Sequence, residues 1–237
     1  MAARRNIYGR RQGRPLRAGR QALLDEALPR LQIELPEDET EVRPEQLFDP
    51  VPERLFLEIG FGGGEHLAWQ IARHPEAGFI GAEYFVTGVA TLLGHLQEGG
   101  TDSLPAGDAP PLRLYIGDAR DLLERLPDAV FDRIFILFPD PWPKRRHHKR
   151  RLIQRQTLDL LARLLKDGGE LRFATDDAGY LSWALQRLSD HPALAWQVAG
   201  PRDWRRRGAD WPATRYEEKA LRAGRRPAYL RFRRRPR

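Results

Sequence analysis

The sequence predicts an α/β protein built on a mostly parallel, doubly wound sheet. From Leu55 onward, short apolar runs bounded by Gly, Pro or Asp alternate with amphipathic stretches, the order that βαβ units require. The first run passes straight into a glycine-rich turn, Glu58-Ile59-Gly60-Phe61-Gly62-Gly63-Gly64-Glu65. Acidic residues then stand at the ends of consecutive runs, where ligands bind in sheets of this kind.

Each element follows in order. Residues 1–20 carry seven Arg and no acid, and are expected to form a flexible basic arm. Residues 21–50 hold a short helical pattern, QALLDEALPRL, and a Pro- and Glu-rich connector with no core of its own. The main domain is expected over 51–237. LFLEIGF (55–61) reads as a strand and HLAWQIARH (66–74) as a helix. GFIGAEYF (78–85) is the second strand and GVATLLGHLQ (88–97) the second helix. GGTDSLPAGDAPP (99–111) is a loop by its Gly and Pro content. LRLYIGDA (112–119), FDRIFILF (131–138) and GELRFATD (169–176) are three further strands. Between the last two, Leu158, Leu161, Leu164 and Leu165 share one helix face, with Gly168 and Gly169 as the expected stop. A helix near 178–189 and strands near 194–199 and 227–233 finish the chain.

The composition narrows the function. The chain has 237 residues, 41% of them hydrophobic, and no Cys, so neither a disulfide framework nor a thiolate metal site is expected. No apolar run approaches a membrane span, and the N-terminus lacks the apolar core of a secretory signal. A cytoplasmic protein with no membrane partner is expected. The net charge is +7, and the last twenty residues carry eight Arg and one Lys against a single acid, Glu218. Basic ends and a basic centre point to a polyanionic partner, nucleic acid before membrane.

Residues past the strand ends carry the chemistry. Gly60, Gly62 and Gly64 make G-x-G-x-G, whereas a dinucleotide fingerprint needs a third glycine where Glu65 stands. A carboxylate at that helix N-terminus disfavours a pyrophosphate. A ligand with a cationic centre, such as S-adenosylmethionine, suits the turn better. Glu83 follows the second strand, placed to accept both hydroxyls of a ribose. Asp118, before Ala119, follows the third, placed to accept from an adenine amino group. Either acid singly would also serve as a helix N-cap.

The fourth strand ends in Phe138-Pro139-Asp140-Pro141-Trp142-Pro143, then KRRHHKRR. The prolines fix φ and remove donors, so Asp140 is held on a rigid corner beside Trp142, a face for a stacked base. The run that follows has six Lys/Arg and two His in eight residues, the composition of a phosphate-contacting surface. His147 and His148 are adjacent and have no Cys beside them, so they read as RNA-facing residues and no metal is expected.

Taken together, LEIGFGGG, GDA, FPDPWPKRRHHKRR, FATD and TRYEEK resemble, in order, the motifs of the bacterial tRNA (guanine-N7-)-methyltransferases, the TrmB family, over roughly Leu55 to Arg233. The resemblance implies a Rossmann-like methyltransferase fold with an antiparallel C-terminal strand. It implies S-adenosylmethionine as donor and guanine 46 of the tRNA variable loop as acceptor. Carried over by motif, Glu58, Gly60, Gly62, Glu83, Asp118, Ala119 and Asp140 match donor-site positions, and Asp140 the catalytic one. Lys144, Asp176 and Thr214, Arg215, Tyr216 and Glu217 match substrate positions. Arg146, His147, His148, Lys149, Arg150 and Arg151 match the RNA-touching segment. No obligate protein partner is implied. The glycine turn departs from the family's frequent methionine, and Tyr84-Phe85 from its frequent histidine. Three other readings stand beside this one: a methyltransferase of another RNA or DNA atom, a nicotinamide-dependent oxidoreductase, which Glu65 opposes, and a non-catalytic RNA-binding protein.

Overall fold

A computed structural model describes residues 8–9, 11–13, 15–98 and 111–237. The rest of the N-terminal arm and nearly all of the loop expected at 99–111 lie outside the described residues.

The chain runs α1 (Ala18–Leu31), α2 (Pro44–Leu47), β1 (Arg54–Ile59), α3 (Glu65–Arg73), β2 (Ala77–Ala82), α4 (Val86–Glu98), β3 (Leu112–Tyr115) and α5 (Ala119–Arg125). It continues through β4 (Phe131–Leu137), a 3₁₀ turn at Arg145–Arg150, α6 (Arg155–Leu164), β5 (Leu165–Thr175) and α7 (Ala178–Ser189). It closes with β6 (Leu194–Trp196), α8 (Arg202–Arg205), α9 (Arg215–Arg222) and β7 (Ala228–Arg234).

One seven-stranded sheet has the order β3-β2-β1-β4-β5-β7-β6. The first five strands in that order pair in parallel, and β7 lies antiparallel to both β5 and β6. The fold is therefore the Rossmann-like, doubly wound sheet with an antiparallel C-terminal strand that the sequence led us to expect. Every residue of β2 is buried, as is β1 after Arg54. That is why both read as unbroken apolar runs: helices cover both faces. One face packs Leu57, Ile80, Ile134, Leu158, Leu161 and Tyr180 together. The other packs Phe56, Phe79, Phe135, Leu67, Val89 and Leu92, and here Leu24, Ala27 and Leu31 of α1 join the same cluster.

Three local expectations differ from the structure. The helix carrying Leu158 ends at Leu164, not at the glycines, and β5 begins at once with Leu165. Gly168 and Gly169 lie inside β5, where pairing jumps from Phe131↔Leu165 to Arg133↔Glu170 and Gly168 takes φ +78°. The extra residues bulge out, and glycine supplies the left-handed turn that the bulge needs. The strand expected at 194–199 stops at Trp196, and Asp203 then accepts from the amides of Ala199 and Gly200 to form a turn. The sequence did not single out α5, a seven-residue helix capped by Asp118.

The order of strands reverses between β1 and β4, since β2 and β3 lie on one side and β5 on the other. A crevice opens at such a point, outside the carboxyl ends of the strands.

Candidate active site

The floor of the crevice is the turn after β1. Gly60, Gly62 and Gly64 all have positive φ, of 72°, 58° and 79°, a region that L side chains rarely adopt. A Cβ on Gly60 would meet no atom within 4 Å, so this face of the turn stays open. A Cβ on Gly62 would lie 2.8 Å from the Tyr216 hydroxyl. The second glycine thus lets the segment around Tyr216 close on the turn. Arg215 adds an ion pair to Glu65, with Nε 3.3 Å from Oε1.

A cavity of about 200 Å³ rises above Gly60, lined also by Glu83, Asp118, Ala119, Asp140 and Trp142. Glu83 is clamped. Its Oε2 accepts from the Gly62 amide at 2.7 Å, and its Oε1 accepts from the Tyr84 and Phe85 amides at 2.8 Å. Burial pushes its pKa above the usual carboxylate range, and the charge of Asp140 pushes the same way; the three amides pull against both. Asp118 caps α5, accepting from the Arg120 amide at 3.0 Å, and its carboxylate pairs with the Arg120 guanidinium. Capping and lining the cavity therefore coexist at Asp118.

Glu58 sits apart from these acids. It is 3% exposed, one residue before the end of β1, and lines a narrow cleft with Gly60, Glu65, Phe138, Thr214 and Tyr216. Its Oε2 lies 2.7 Å from His66 Nδ1. Gln70 Nε2 stands 3.2 Å from His66 Nε2 and donates to the Asp210 carbonyl at 3.0 Å. The amide therefore donates to Nε2, which leaves the His66 proton on Nδ1, facing Glu58.

The proline-rich corner is bent as well as stiff. Phe138 and Trp142 both hold positive φ, 51° and 44°, which is uncommon for residues with a Cβ. Arg151 holds it in place. This residue is 3% exposed, donates through Nε to the Pro141 carbonyl at 2.8 Å, and lies over the rings of Tyr180 and Trp183. Arg151 is thus a strut inside the loop, and the sequence expectation that it faces RNA is corrected: its charge is spent on the corner. Arg150 stacks over Trp142 and over Tyr8 of the N-terminal arm, 4.9 and 4.1 Å from the ring centroids. Lys144, Arg146 and Lys149 are exposed, and His147 and His148 are half-buried. Desolvation lowers the His147 pKa, and the cations around it, Arg150 first, lower it further, so this ring stays neutral near pH 7.

The remaining substrate candidates gather on the other side of the turn. Thr214 caps α9, accepting from the Glu217 amide at 3.3 Å. Glu217 is buried: its Oε1 accepts from Tyr229 Oη at 2.7 Å and from Arg207 Nε at 3.1 Å. Its Oε2 is buried with no hydrogen-bond donor among the described residues. Asp176, past β5, accepts from Arg225 Nε at 2.6 Å.

The site can hold a cationic, ribose-bearing ligand. The open face of Gly60 leaves room for it, and Glu83, Asp118 and Asp140 border the same cavity with three carboxylates. No group of three or more His, Asp or Glu placed to hold a metal occurs among the described residues. No helix of the described residues is long and apolar enough to cross a membrane. The sequence did not single out His66, Gln70, Arg207 or Tyr229. His66 and Gln70 share the buried stripe of α3 with Leu67 and Ile71, and a polar pair on an apolar stripe was the available signal. Arg207 and Tyr229 come from distant segments and have no such signal.

Comparison with known proteins agrees with this geometry. Residues 52–229 match a family described as "Putative methyltransferase". The chain is 54% identical over 233 residues to the tRNA (guanine-N(7)-)-methyltransferase of Rhodospirillum rubrum, covering 98% of this chain and 88% of that one. It is 46% identical over 236 residues to the protein of the same name from Paramagnetospirillum magneticum, covering 100% and 95%. Among solved structures it resembles an antibiotic-related methyltransferase, with TM-score 0.51 and 18% identity over 85% of this chain and 94% of that one. An rRNA methylase from Streptococcus thermophilus matches with TM-score 0.51 and 10% identity, over 78% and 88%.

Proposed function

The chain belongs to the bacterial tRNA (guanine-N7-)-methyltransferase family, and we propose that its crevice joins S-adenosylmethionine to guanine 46 of the tRNA variable loop, in the cytoplasm, so that N7 takes the methyl group. The observation that carries this reading is the convergence of Glu83, Asp118, Asp140 and Trp142 on one cavity at the reversal of strand order.

The donor, when bound, supplies an electrophilic methyl group on a sulfonium. The protein's residues hold and orient. Glu83, fixed by three amides, presents its one remaining lone pair, on Oε2, to a ribose hydroxyl. Asp118 accepts from the adenine amino group. Glu58, behind Gly60, places negative charge near the cationic part of the ligand. Guanine N7 has an in-plane lone pair and need lose no proton before it is methylated, so the chain's residues would have to align it with a bound donor and not deprotonate it. No general base is needed, and alignment is the larger contribution. The product base is cationic, and Asp140, on a corner that prolines and Arg151 hold rigid, favours that developing charge. Asp176 or Glu217 accepts from N1–H and the amino group, the edge that separates guanine from adenine. Lys144, Arg146 and Lys149 hold phosphates.

The test uses unmodified tRNA transcript, methyl-labelled S-adenosylmethionine and the full chain, followed by borohydride reduction and aniline cleavage. A single cut at guanine 46 is expected. Label without a cut would place the methyl group on another atom and overturn the N7 assignment.

A further inference from the structure

The KRRHHKRR run accounts for one basic surface, but not for a second built around α8 and β7. Two cavities lie there, of about 220 and about 690 Å³, and Arg206, Arg207 and Tyr229 line both. Arg202 and Arg231 line the smaller, Arg205 and Arg226 the larger. All of these arginines are exposed. Arg207 is committed to Glu217, but Arg202, Arg205, Arg206, Arg226 and Arg231 have no carboxylate within 4.0 Å among the described residues. Some exposed arginines elsewhere are paired, Arg155 with Asp159, Arg222 with Glu218, Arg225 with Asp176 and Arg237 with Asp167. Across the two cavities six arginines face three acids, Asp203, Asp210 and Glu217, and a surface with this excess of positive charge fits a polyanion.

Position decides which polyanion. Glu217, whose buried Oε2 lacks a donor, lines the larger cavity together with Arg226. A base that pairs with Glu217 therefore brings its own backbone to the arginine ridge. We propose that the ridge from Arg226 through Arg205 and Arg206 to Arg202 and Arg231 is a second phosphate track, holding the tRNA backbone that flanks the methylated guanine. This rests on the guanine-binding reading given above. The bound tRNA then runs between two basic surfaces, Lys144–Lys149 on one side of the crevice and the ridge on the other.

The test compares the full chain with the triple variant Arg202→Gln, Arg206→Gln, Arg231→Gln, which leaves Arg207, Glu217 and the donor cavity intact. Binding of tRNA transcript is measured across a salt series, alongside S-adenosylmethionine affinity and aniline-detected methylation. The expected result is tRNA affinity about tenfold weaker at ~0.1 M salt and a log–log salt slope shallower by roughly 2, at about 0.7 to 0.9 per lost phosphate contact. Donor affinity and turnover at saturating tRNA stay at the parent level. Unchanged tRNA affinity and slope would overturn the proposal while methylation by the parent chain left the functional reading standing. A second measurement needs no variant: phenylglyoxal modification of the native chain, mapped by mass. Protection of Arg202, Arg206 and Arg231 by tRNA but not by donor supports the track, and equal modification with and without tRNA refutes it.

Discussion

Glu58 Oε2 and His66 Nδ1 meet at 2.7 Å in the interior, with both side chains 3% exposed or less. The pair ties the end of β1 to the first turn of α3 across the glycine turn. Through Gln70 and the Asp210 carbonyl it also reaches the loop that carries Arg207, and so Glu217. Glu58 and Glu217, the acids proposed for the donor and the guanine, are thus joined through His66, Gln70 and the 207–210 segment.

Removing one member of this pair leaves the other buried without a partner, a loss of about 3 kcal/mol or more. His66→Ala is expected to lower urea-unfolding stability by that amount and to weaken S-adenosylmethionine binding with it. Glu58→Gln in the same background should recover part of the stability, because the amide carries no charge to strand. A His66→Ala chain within about 1 kcal/mol of the parent would show that the pair does not hold the turn.

Glu83, proposed above to hold the ribose, should set an acid limit on donor binding. Its native pKa is raised, by burial first and by Asp140 to a lesser degree. The native state therefore holds this proton more tightly than the unfolded chain. Its contribution to stability is present at acid pH and is lost as pH rises through the raised value. Donor affinity runs in the opposite sense, because the ribose needs the charged acceptor. Calorimetric titration with S-adenosylmethionine should show binding weakening on acidification at a higher pH than an ordinary carboxylate near about 4.3 would give. Glu83→Gln should bind roughly tenfold more weakly at pH 7 and lose this dependence. A parent profile that weakens no earlier than an ordinary carboxylate would be evidence against the assignment.

Asp140→Asn retains the size of the side chain and removes its charge. With tRNA and donor saturating, kcat should fall by about 10² or more, as is usual when a group aimed at developing charge is removed. The affinity for tRNA should change little, since prolines and Arg151 fix the backbone of the corner. Unchanged turnover would take Asp140 out of the chemistry.

Replacing Lys144, Arg146 and Lys149 together by Ala should raise KM for tRNA and lower the salt slope by roughly 2, with kcat preserved. Arg151→Ala should behave differently. It removes the strut on the Pro141 carbonyl and the cation over Tyr180 and Trp183, so kcat should fall together with stability. Equal effects of the two variants on salt slope alone would contradict the buried placement of Arg151.

Much of this protein was legible along the chain, because periodicity and punctuation are local. Apolar runs such as LFLEI and GFIGA had to be strands buried on both faces, and the glycines after β1 had to make a turn that side chains could not. The acids at strand ends followed from the same order, as did the rigid corner with its basic run. Where local signals competed, the reading slipped: Gly168 and Gly169 looked like a helix stop but serve a bulge inside β5, because pairing with β4 overrides the local turn preference. Arg151 looked like its neighbours in KRRHHKRR, and only its packing against Tyr180 and Trp183 makes it a strut. The contacts of Glu58 with His66, of Glu217 with Tyr229 and Arg207, and of Tyr216 with Gly62 join segments that sequence spacing does not relate. Composition and order determined the sheet, its turn and the chemistry available at its edge. Which side chains touch, and which charges remain free, was decided by the tertiary structure, because burial and partnership arise only when distant segments pack.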